Sequence, residues 1–213
     1  MDYISLIMPQ LLEGLKLTIK VFLMTLLLSL PLGILVSYLL KVKFWPVRYL
    51  TNIYVWLMRG TPLLVQLIII FYALPMIGIM FDRLPAAVFA FTLNYAAYFA
   101  EIFRGGMQSI PKGQAEAAKV LKLSKWQSAR YVILPQVTKI TLPSVFNEII
   151  NLVKDSSLIY VVGLGDLLRA GKIAMSRDVT LIPMMIVALI YLVFIGLLTL
   201  LSKVIEKKYD YYK

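Results

Sequence analysis

The sequence predicts an all-α polytopic membrane protein with five transmembrane helices. The chain has 213 residues, of which 61% are apolar and only 15% are charged, and its mean hydropathy is +0.83. Soluble domains carry about 25% charged residues, so this chain has too few polar side chains to cover a soluble surface. It also carries several uncharged stretches near the length of about 20 residues that a helix needs to cross a bilayer.

The five predicted spans follow one another along the whole chain, which is treated as one domain. They cover about 17–40, 54–78, 85–104, 134–160 and 180–203. The fourth span differs from the other four, because they each contain a long uncharged apolar run whereas it carries a polar stripe. Residues 3–15 are amphipathic, and two alternatives are left open for them: a helix along the outer interface or a free tail.

The second span is predicted to break at Thr61–Pro62, because proline removes a backbone donor. Interrupted helices often frame binding sites in membrane proteins, although Gly60 and Pro62 equally permit close helix packing. Arg59 and Gln66 flank the break and are candidate binding residues. An internal glutamate is the favoured partner of Arg59, with an anionic ligand as the alternative.

The distribution of Lys and Arg predicts the orientation. The chain has 22 Lys and Arg against 11 Asp and Glu, a net charge of +11. Most of these cations fall in 41–51, in 104–139 and in the tail from Lys203 to Lys213. Because cytoplasmic loops are enriched in Lys and Arg, the C-terminus is predicted in the cytoplasm and the N-terminus outside. The basic charge is therefore a topology signal, and nucleic acid is not an expected partner.

The sequence contains no Cys and no His. This composition excludes disulfides, thiolate or imidazole metal sites, and Ser-His-Asp or Cys nucleophiles. The Gly-x-x-x-x-Gly-Lys-Ser/Thr phosphate loop is also missing, so ATP binding of that kind is excluded. No catalytic residue, metal ligand or bound cofactor is expected.

Polar side chains form stripes on two spans. The stripe on the fourth consists of Ser144, Asn147, Glu148, Asn151, Lys154 and Asp155, and a narrower one on the third consists of Asn94, Tyr98 and Glu101. At 3.6 residues per turn, the first stripe fits in an arc of about 120°. Ionisable groups at bilayer depth usually face a cavity or a partner, so these residues are candidate pathway residues. A structural network at a subunit interface is the alternative for span four, and pairing of Glu101 with Arg104 for span three.

The loop 105–133 is long for a bundle connection and is rich in helix formers from Gln114 to Leu121. Ser124 and Gln127 form a capping-box pattern that predicts a second helix through Arg130. Taken alone, this pattern is also compatible with a basic helix on anionic lipid.

Four blocks of sequence resemble the permease subunits of ATP-binding-cassette importers. EAA at 116–118 and VILP at 132–135 match the spacing of the family's cytoplasmic loop, with Lys122 at the usual glycine. The other three blocks are similar to polar amino acid permeases of the histidine, glutamine and arginine type. They are RGTPLLVQ at 59–66, AYFAEIFRGG with IPKGQ at 97–114, and KDSSL at 154–158.

The resemblance implies a type I importer permease in a bacterial-type plasma membrane, with a cytoplasmic helix that couples to a separate ATPase. The coupling residues would be Gly113, Ala115, Glu116, Ala117, Ala118 and Lys122. The implied partners are ATPase subunits that bind ATP-Mg, a second permease chain and an extracytoplasmic solute-binding protein. The substrate expected from the family and from the acidic spans is a polar, preferably basic, amino acid. The alternatives are an ion-coupled secondary amino acid transporter and a non-transporting membrane scaffold.

Overall fold

A computed structural model describes residues 3–209, and Lys213 of the predicted cytoplasmic tail lies outside them. Within that range the helices are α1 Tyr3–Leu39, α2 Trp45–Gly60, α3 Leu63–Ile68, α4 Arg83–Gln108, α5 Lys112–Val120, α6 Lys125–Gln127, α7 Leu134–Asp155, α8 Leu167–Asp178 and α9 Ile182–Lys208. Irregular helical turns extend α3 through Ile69–Ala73 and Leu74–Ile77, join α6 to α7 through Ser128–Ile133, and extend α7 through Ser156–Val162.

The helical class predicted from composition is confirmed over the described residues. Among them, α1, α4 and α9 are long and apolar enough to cross a membrane, and α2 with Leu63–Ile77 forms a bent pair that makes a fourth crossing if counted as one span. Because of its polar stripe, α7 is not among the helices that are apolar enough to cross a membrane by hydropathy alone. The fourth predicted span therefore stays a prediction.

The first helix begins at Tyr3, well before residue 17, the predicted start of the first span. Its first turns form neither a separate helix nor a free tail, because Ile7 and Leu11 are fully buried in a cluster with α8 and α9. The hydroxyl of Tyr3 donates a hydrogen bond of 2.7 Å to Asp178 at the end of α8. Packing on α8 therefore extends a helix whose start the hydropathy pattern alone did not mark.

Small residues bring α1 and α4 together along one seam. The buried face of α1 carries Thr18, Thr25, Ser29 and Gly33, and the facing helix contributes a series of buried alanines. A Cβ at Gly33 would lie 2.6 Å from the Cβ of Phe99 and 3.2 Å from the carbonyl oxygen of Ala96. Close backbone approach of this kind drives helix association where the solvent is itself apolar.

The start of α8 is fixed against α1 by a buried aspartate. Asp166 caps α8 by accepting hydrogen bonds from the backbone N–H groups of Leu168 (3.0 Å) and Arg169 (3.3 Å). Its backbone carbonyl oxygen lies 2.7 Å from the position of a Cβ on Gly14, so the α1 backbone passes directly beside it. Burial raises the pKa of Asp166 to about 6, above the usual value of 3.8.

Replacing Gly33 by alanine tests the seam. A Cβ at this position overlaps Phe99, and we expect the overpacking to lower stability by about 1–3 kcal/mol. Thermal unfolding of the purified protein in detergent measures the effect. Gly196→Ala is the matched control, since a Cβ there meets nothing within 4 Å on α9 and alanine favours a helix. Equal melting temperatures for both variants would contradict the close approach.

Candidate functional site

The second predicted span is broken at Thr61–Pro62, as the sequence predicts. The backbone is extended at Thr61 (ψ 147°) and Pro62 (ψ 135°), and the helical arms on either side meet at 107°. Proline cannot donate a backbone hydrogen bond, so the carbonyl groups at the end of α2 need other partners.

Two buried side-chain amides supply those partners. The Gln66 Nε2 atom donates to the carbonyl oxygens of Met58 (3.0 Å) and Thr61 (3.2 Å) and to the Thr61 hydroxyl (2.8 Å). Asn94 on α4 donates from Nδ2 to the Met58 carbonyl at 2.8 Å and to Gln66 Oε1 at 3.0 Å. We call Gln66 and Asn94 the amide clamp. It ties the broken end of α2 to α3 and α4, and the proposed pathway role of both residues stays a prediction.

An open cavity of about 540 Å³ lies beside the break, between α3, α4 and α7. Five of the predicted site residues line it: Asn94, Tyr98, Glu148, Asn151 and Asp155. The rest of its wall is formed by Thr61, Pro62, Leu63, Leu64, Tyr95, Lys154 and Leu158. The structure thus brings residues from the third and fourth predicted spans to one place.

The charged groups of the cavity come from α7. Glu148 and Asp155 are half-buried carboxylates, and Lys154 is an exposed cation beside them. The hydroxyl of Tyr95, a buried residue of α4, donates to Asp155 Oδ2 at 2.7 Å and orients that carboxylate. Tyr95 is not among the residues predicted from the sequence, and only its position next to Asn94 could have indicated it, since Asp155 is sixty residues away.

Arg59 and Glu101 form an ion-pair cluster beside the cavity, rather than part of its wall. The Arg59 guanidinium lies 3.6 Å from Glu101 Oε2 and stacks over the Tyr98 ring at 5.4 Å. Arg104 binds the same carboxylate through two hydrogen bonds of 2.9 and 2.6 Å. An internal glutamate is therefore the partner of Arg59 in this structure.

Ser144 and Asn147 lie on the same helix as Glu148 but outside the cavity wall. Both side chains are exposed on the surface of the single chain. Their role as pathway residues stays a prediction.

The segment that resembles a coupling helix is α5, and most of its surface is free. Gly113, Ala115, Glu116 and Ala117 are exposed, whereas Ala118 is buried. The α5 side chain of Gln114 meets Gln136 of α7 at 3.3 Å, and α5 also packs on the turn Ser128–Ile133. The helix is therefore attached to the stem of α7, the helix that lines the cavity.

Lys122 occupies the left-handed position that ends α5, with a φ of +54°. Its N–H donates to the Lys119 carbonyl (2.9 Å), and the Leu123 N–H donates to the Ala118 carbonyl (3.0 Å). These two bonds form the Schellman motif in which glycine is usual. The turn is thus formed with lysine in place of the usual glycine, at a conformational cost of about 1–2 kcal/mol.

The capping box that the sequence predicts after this turn is confirmed. Gln127 N–H donates to the Ser124 hydroxyl at 3.2 Å, and Ser124 N–H donates to Gln127 Oε1 at 2.8 Å. The helix that starts here continues past Arg130 into α7 without interruption. One helical path therefore runs from the loop that contains α5 to the cavity.

A broken span beside a polar cavity, with an exposed helix attached to one of the cavity helices, is the arrangement expected of a permease subunit of an ATP-binding-cassette importer. Residues 29–211 match the family described as "Binding-protein-dependent transport system inner membrane component". The chain belongs to this family and is a multi-pass membrane protein.

Two relatives are similar over nearly their whole length. The "Arginine transport system permease protein ArtQ" of Bacillus subtilis (strain 168) is 38% identical over 202 residues, which cover 94% of this chain and 92% of the relative. The "Putative glutamine transport system permease protein GlnP" of Rickettsia conorii (strain ATCC VR-613 / Malish 7) is 38% identical over 198 residues, with coverage of 92% and 91%.

A solved structure shares the fold. It is described as "Crystal structure of an amino acid ABC transporter with histidines", and the TM-score is 0.89 at 33% identity. The match covers 98% of this chain and 99% of that one. The type I importer permease fold expected from the sequence is therefore confirmed.

Replacing Lys122 by glycine tests the end of α5. Glycine adopts positive φ without the steric cost that lysine has, so we expect Lys122→Gly to stabilise the turn by about 1 kcal/mol. Slower hydrogen exchange of the α5 amides measures this. Lys119→Gly, inside the same helix, should have the opposite effect of about 1 kcal/mol. Faster α5 exchange in Lys122→Gly would show that the turn does not need this conformation.

Proposed function

We propose that this chain forms the membrane path of an ATP-driven importer for a polar amino acid. The observation that carries the proposal is the polar cavity at the Thr61–Pro62 break, one of whose walls is α7. Because α7 is continuous with the helical segment that holds α5, a movement at the cytoplasmic surface reaches the cavity. Alternating access then follows from a change in the position of α7 against α3 and α4.

The proposed partners follow from the family, whose permease subunits work with a separate ATPase, a second permease chain and a solute-binding protein. ATP-Mg is bound and hydrolysed by a separate ATPase subunit, which docks on α5, and this chain performs no chemistry on the substrate. One half of the path comes from this chain, and the other half comes from a second copy or a sister permease. An extracytoplasmic solute-binding protein delivers the substrate at the outer face. In this arrangement the N-terminus is outside and the C-terminus is in the cytoplasm.

The charges of the cavity support a zwitterion that carries an extra positive group. Glu148 and Asp155 outnumber Lys154 by one, so an ammonium and a cationic side chain both find a carboxylate. The Asn94 and Asn151 amides and the Tyr98 hydroxyl add hydrogen-bonding groups. A polar amino acid with a basic side chain fits this set best.

The energy source tests the proposal against its alternatives. Proteoliposomes that contain the permease with its ATPase and binding protein should accumulate labelled L-arginine or L-glutamine with ATP, also after collapse of the proton gradient. Uptake that stops with the gradient would favour an ion-coupled transporter. No accumulation in any pairing of permease chains would favour a scaffold.

Charge reversal on α5 should uncouple the ATPase from transport. Glu116 is exposed on the face proposed to dock, and Glu116→Lys places a cation there without disturbing the membrane helices. We expect ATP hydrolysis to continue while uptake falls at least about tenfold. Glu13→Lys is the control, since Glu13 is exposed near the opposite end of the path. Normal uptake by Glu116→Lys would refute the coupling role.

Neutralising Asp155 should change the selectivity of the cavity. Asp155→Asn keeps the size of the side chain and removes one of two carboxylates, so we expect KM for L-arginine to rise about tenfold relative to that for L-glutamine. Asp178→Asn, outside the cavity, is the matched control. Unchanged relative KM values would remove the main support for a cationic substrate.

A further inference from the structure

Two arginines from distant parts of the chain converge on one glycine. Gly163 ends the turn Ser156–Val162 in the left-handed conformation, with a φ of +81°. A Cβ at Gly163 would lie 3.2 Å from an Arg169 guanidinium nitrogen and 3.5 Å from the central guanidinium carbon of Arg83. Arg83 begins α4 and Arg169 lies in α8, so tertiary packing alone brings the two cations together.

No side chain of the described residues forms a hydrogen bond or a salt bridge with either guanidinium. Arg169 interacts electrostatically with the buried carboxylate of Asp166, which also accepts hydrogen bonds from the backbone N–H groups of Leu168 and Arg169. Asp82 is exposed beside Arg83 and forms no ion pair with it. Like charges held side by side repel, and a shared anion relieves that repulsion.

The place at Gly163 where the two guanidiniums meet, which we call the recess, has a third cation on α8 and an aromatic ring on the turn Ser156–Val162. Lys172, one turn after Arg169 on α8, holds its ammonium 4.5 Å from the centre of the Tyr160 ring. Because Gly163 has no side chain, both guanidiniums can approach its backbone closely. A guanidinium presents paired N–H donors that match the planar, two-oxygen geometry of a carboxylate.

The recess lies on the same segment as the cavity. Leu158 lines the cavity and Gly163 ends the helical turn that contains Leu158, which at about 2 Å per residue is a separation of about 10 Å. The cavity itself holds Glu148 and Asp155, which repel a carboxylate and attract an ammonium. An amino acid held at Arg83 and Arg169 by its carboxylate would therefore enter the cavity with its positive end first.

We propose that Arg83 and Arg169 form a carboxylate-binding site for the amino acid substrate at the outer mouth of the path, separate from the membrane cavity. This inference rests on the proposed function. The site recognises the carboxylate alone, so it does not distinguish one amino acid from another. Its role is to concentrate and orient the substrate before the substrate reaches α7.

Protection from phenylglyoxal, which modifies free guanidinium groups, tests the site directly. The permease–ATPase complex in neutral phosphatidylcholine nanodiscs is treated with and without millimolar L-glutamine, without binding protein, and each arginine is followed by peptide mass spectrometry. We expect L-glutamine to slow modification of Arg83 and Arg169 about threefold or more, and L-glutaminamide, which lacks the carboxylate, to have no effect. Exposed Arg48 is the internal control.

A cavity variant separates this site from the membrane cavity. In Lys154→Gln the protection of Arg83 and Arg169 should persist, because Lys154 lines the cavity and not the recess. Protection that disappears in Lys154→Gln, or that L-glutaminamide gives equally, would overturn the proposal. So would protection seen only with ligand-free binding protein, which indicates protein docking, or only with anionic lipid in the nanodisc, which indicates a headgroup site.

A kinetic measurement provides an independent test of the site. The double variant Arg83→Gln/Arg169→Gln should raise KM for uptake about threefold or more with kcat retained, and Arg83→Lys/Arg169→Lys should recover part of the loss. A fall in kcat without a change in KM would contradict a capture site. A complex that shows no ATP-driven uptake yet still protects both arginines would refute the proposed function and leave the anion site standing.

Discussion

The geometry of this molecule depends on how the carbonyl groups freed by Pro62 are satisfied. In a bilayer an unpaired backbone group costs several kcal/mol, so a broken span survives only where side chains replace the lost bonds. The amide clamp does this with one donor from α3 and one from α4. The position of α3, the polar wall at Thr61 and Pro62, and the approach of Arg59 to Glu101 all follow from that local solution.

The polar residues in and beside the cavity have different roles. Gln66 and Asn94 both donate to the carbonyl oxygen of Met58 in α2, whereas Glu148, Asn151 and Lys154 line the cavity from α7. Asp155 is intermediate, since Tyr95 holds its carboxylate in place. One side of the cavity is therefore fixed by hydrogen bonds to backbone, and the side that continues toward α5 carries the charged groups.

Local signals in the sequence predicted local structure well. Pro62 marked the break, Ser124 and Gln127 marked a helix start, and the stripe on α7 marked the charged wall of the cavity. These features depend on residues within one or two turns of each other, so periodicity and capping rules are sufficient to find them.

Features that depend on packing could not be found in this way. The early start of α1 needs the contact with α8, and the Tyr95–Asp155 bond joins residues that no spacing rule relates. The role of Gln66 and Asn94 as a clamp needed the bend between α2 and α3. The left-handed Lys122 shows a further limit, because a fold can hold a disfavoured residue in a turn at a small cost.

The seam between α1 and α4 has a mechanical consequence. At Gly33 and Phe99 the two backbones approach closely, so we expect the two helices to move together as one rigid unit, here called the strut. We expect rearrangements of the chain to occur at joints outside the strut. The left-handed glycines Gly78 and Gly163, one after the bent pair and one after α7, lie at two such joints, and we expect the strut to serve as the frame against which they turn.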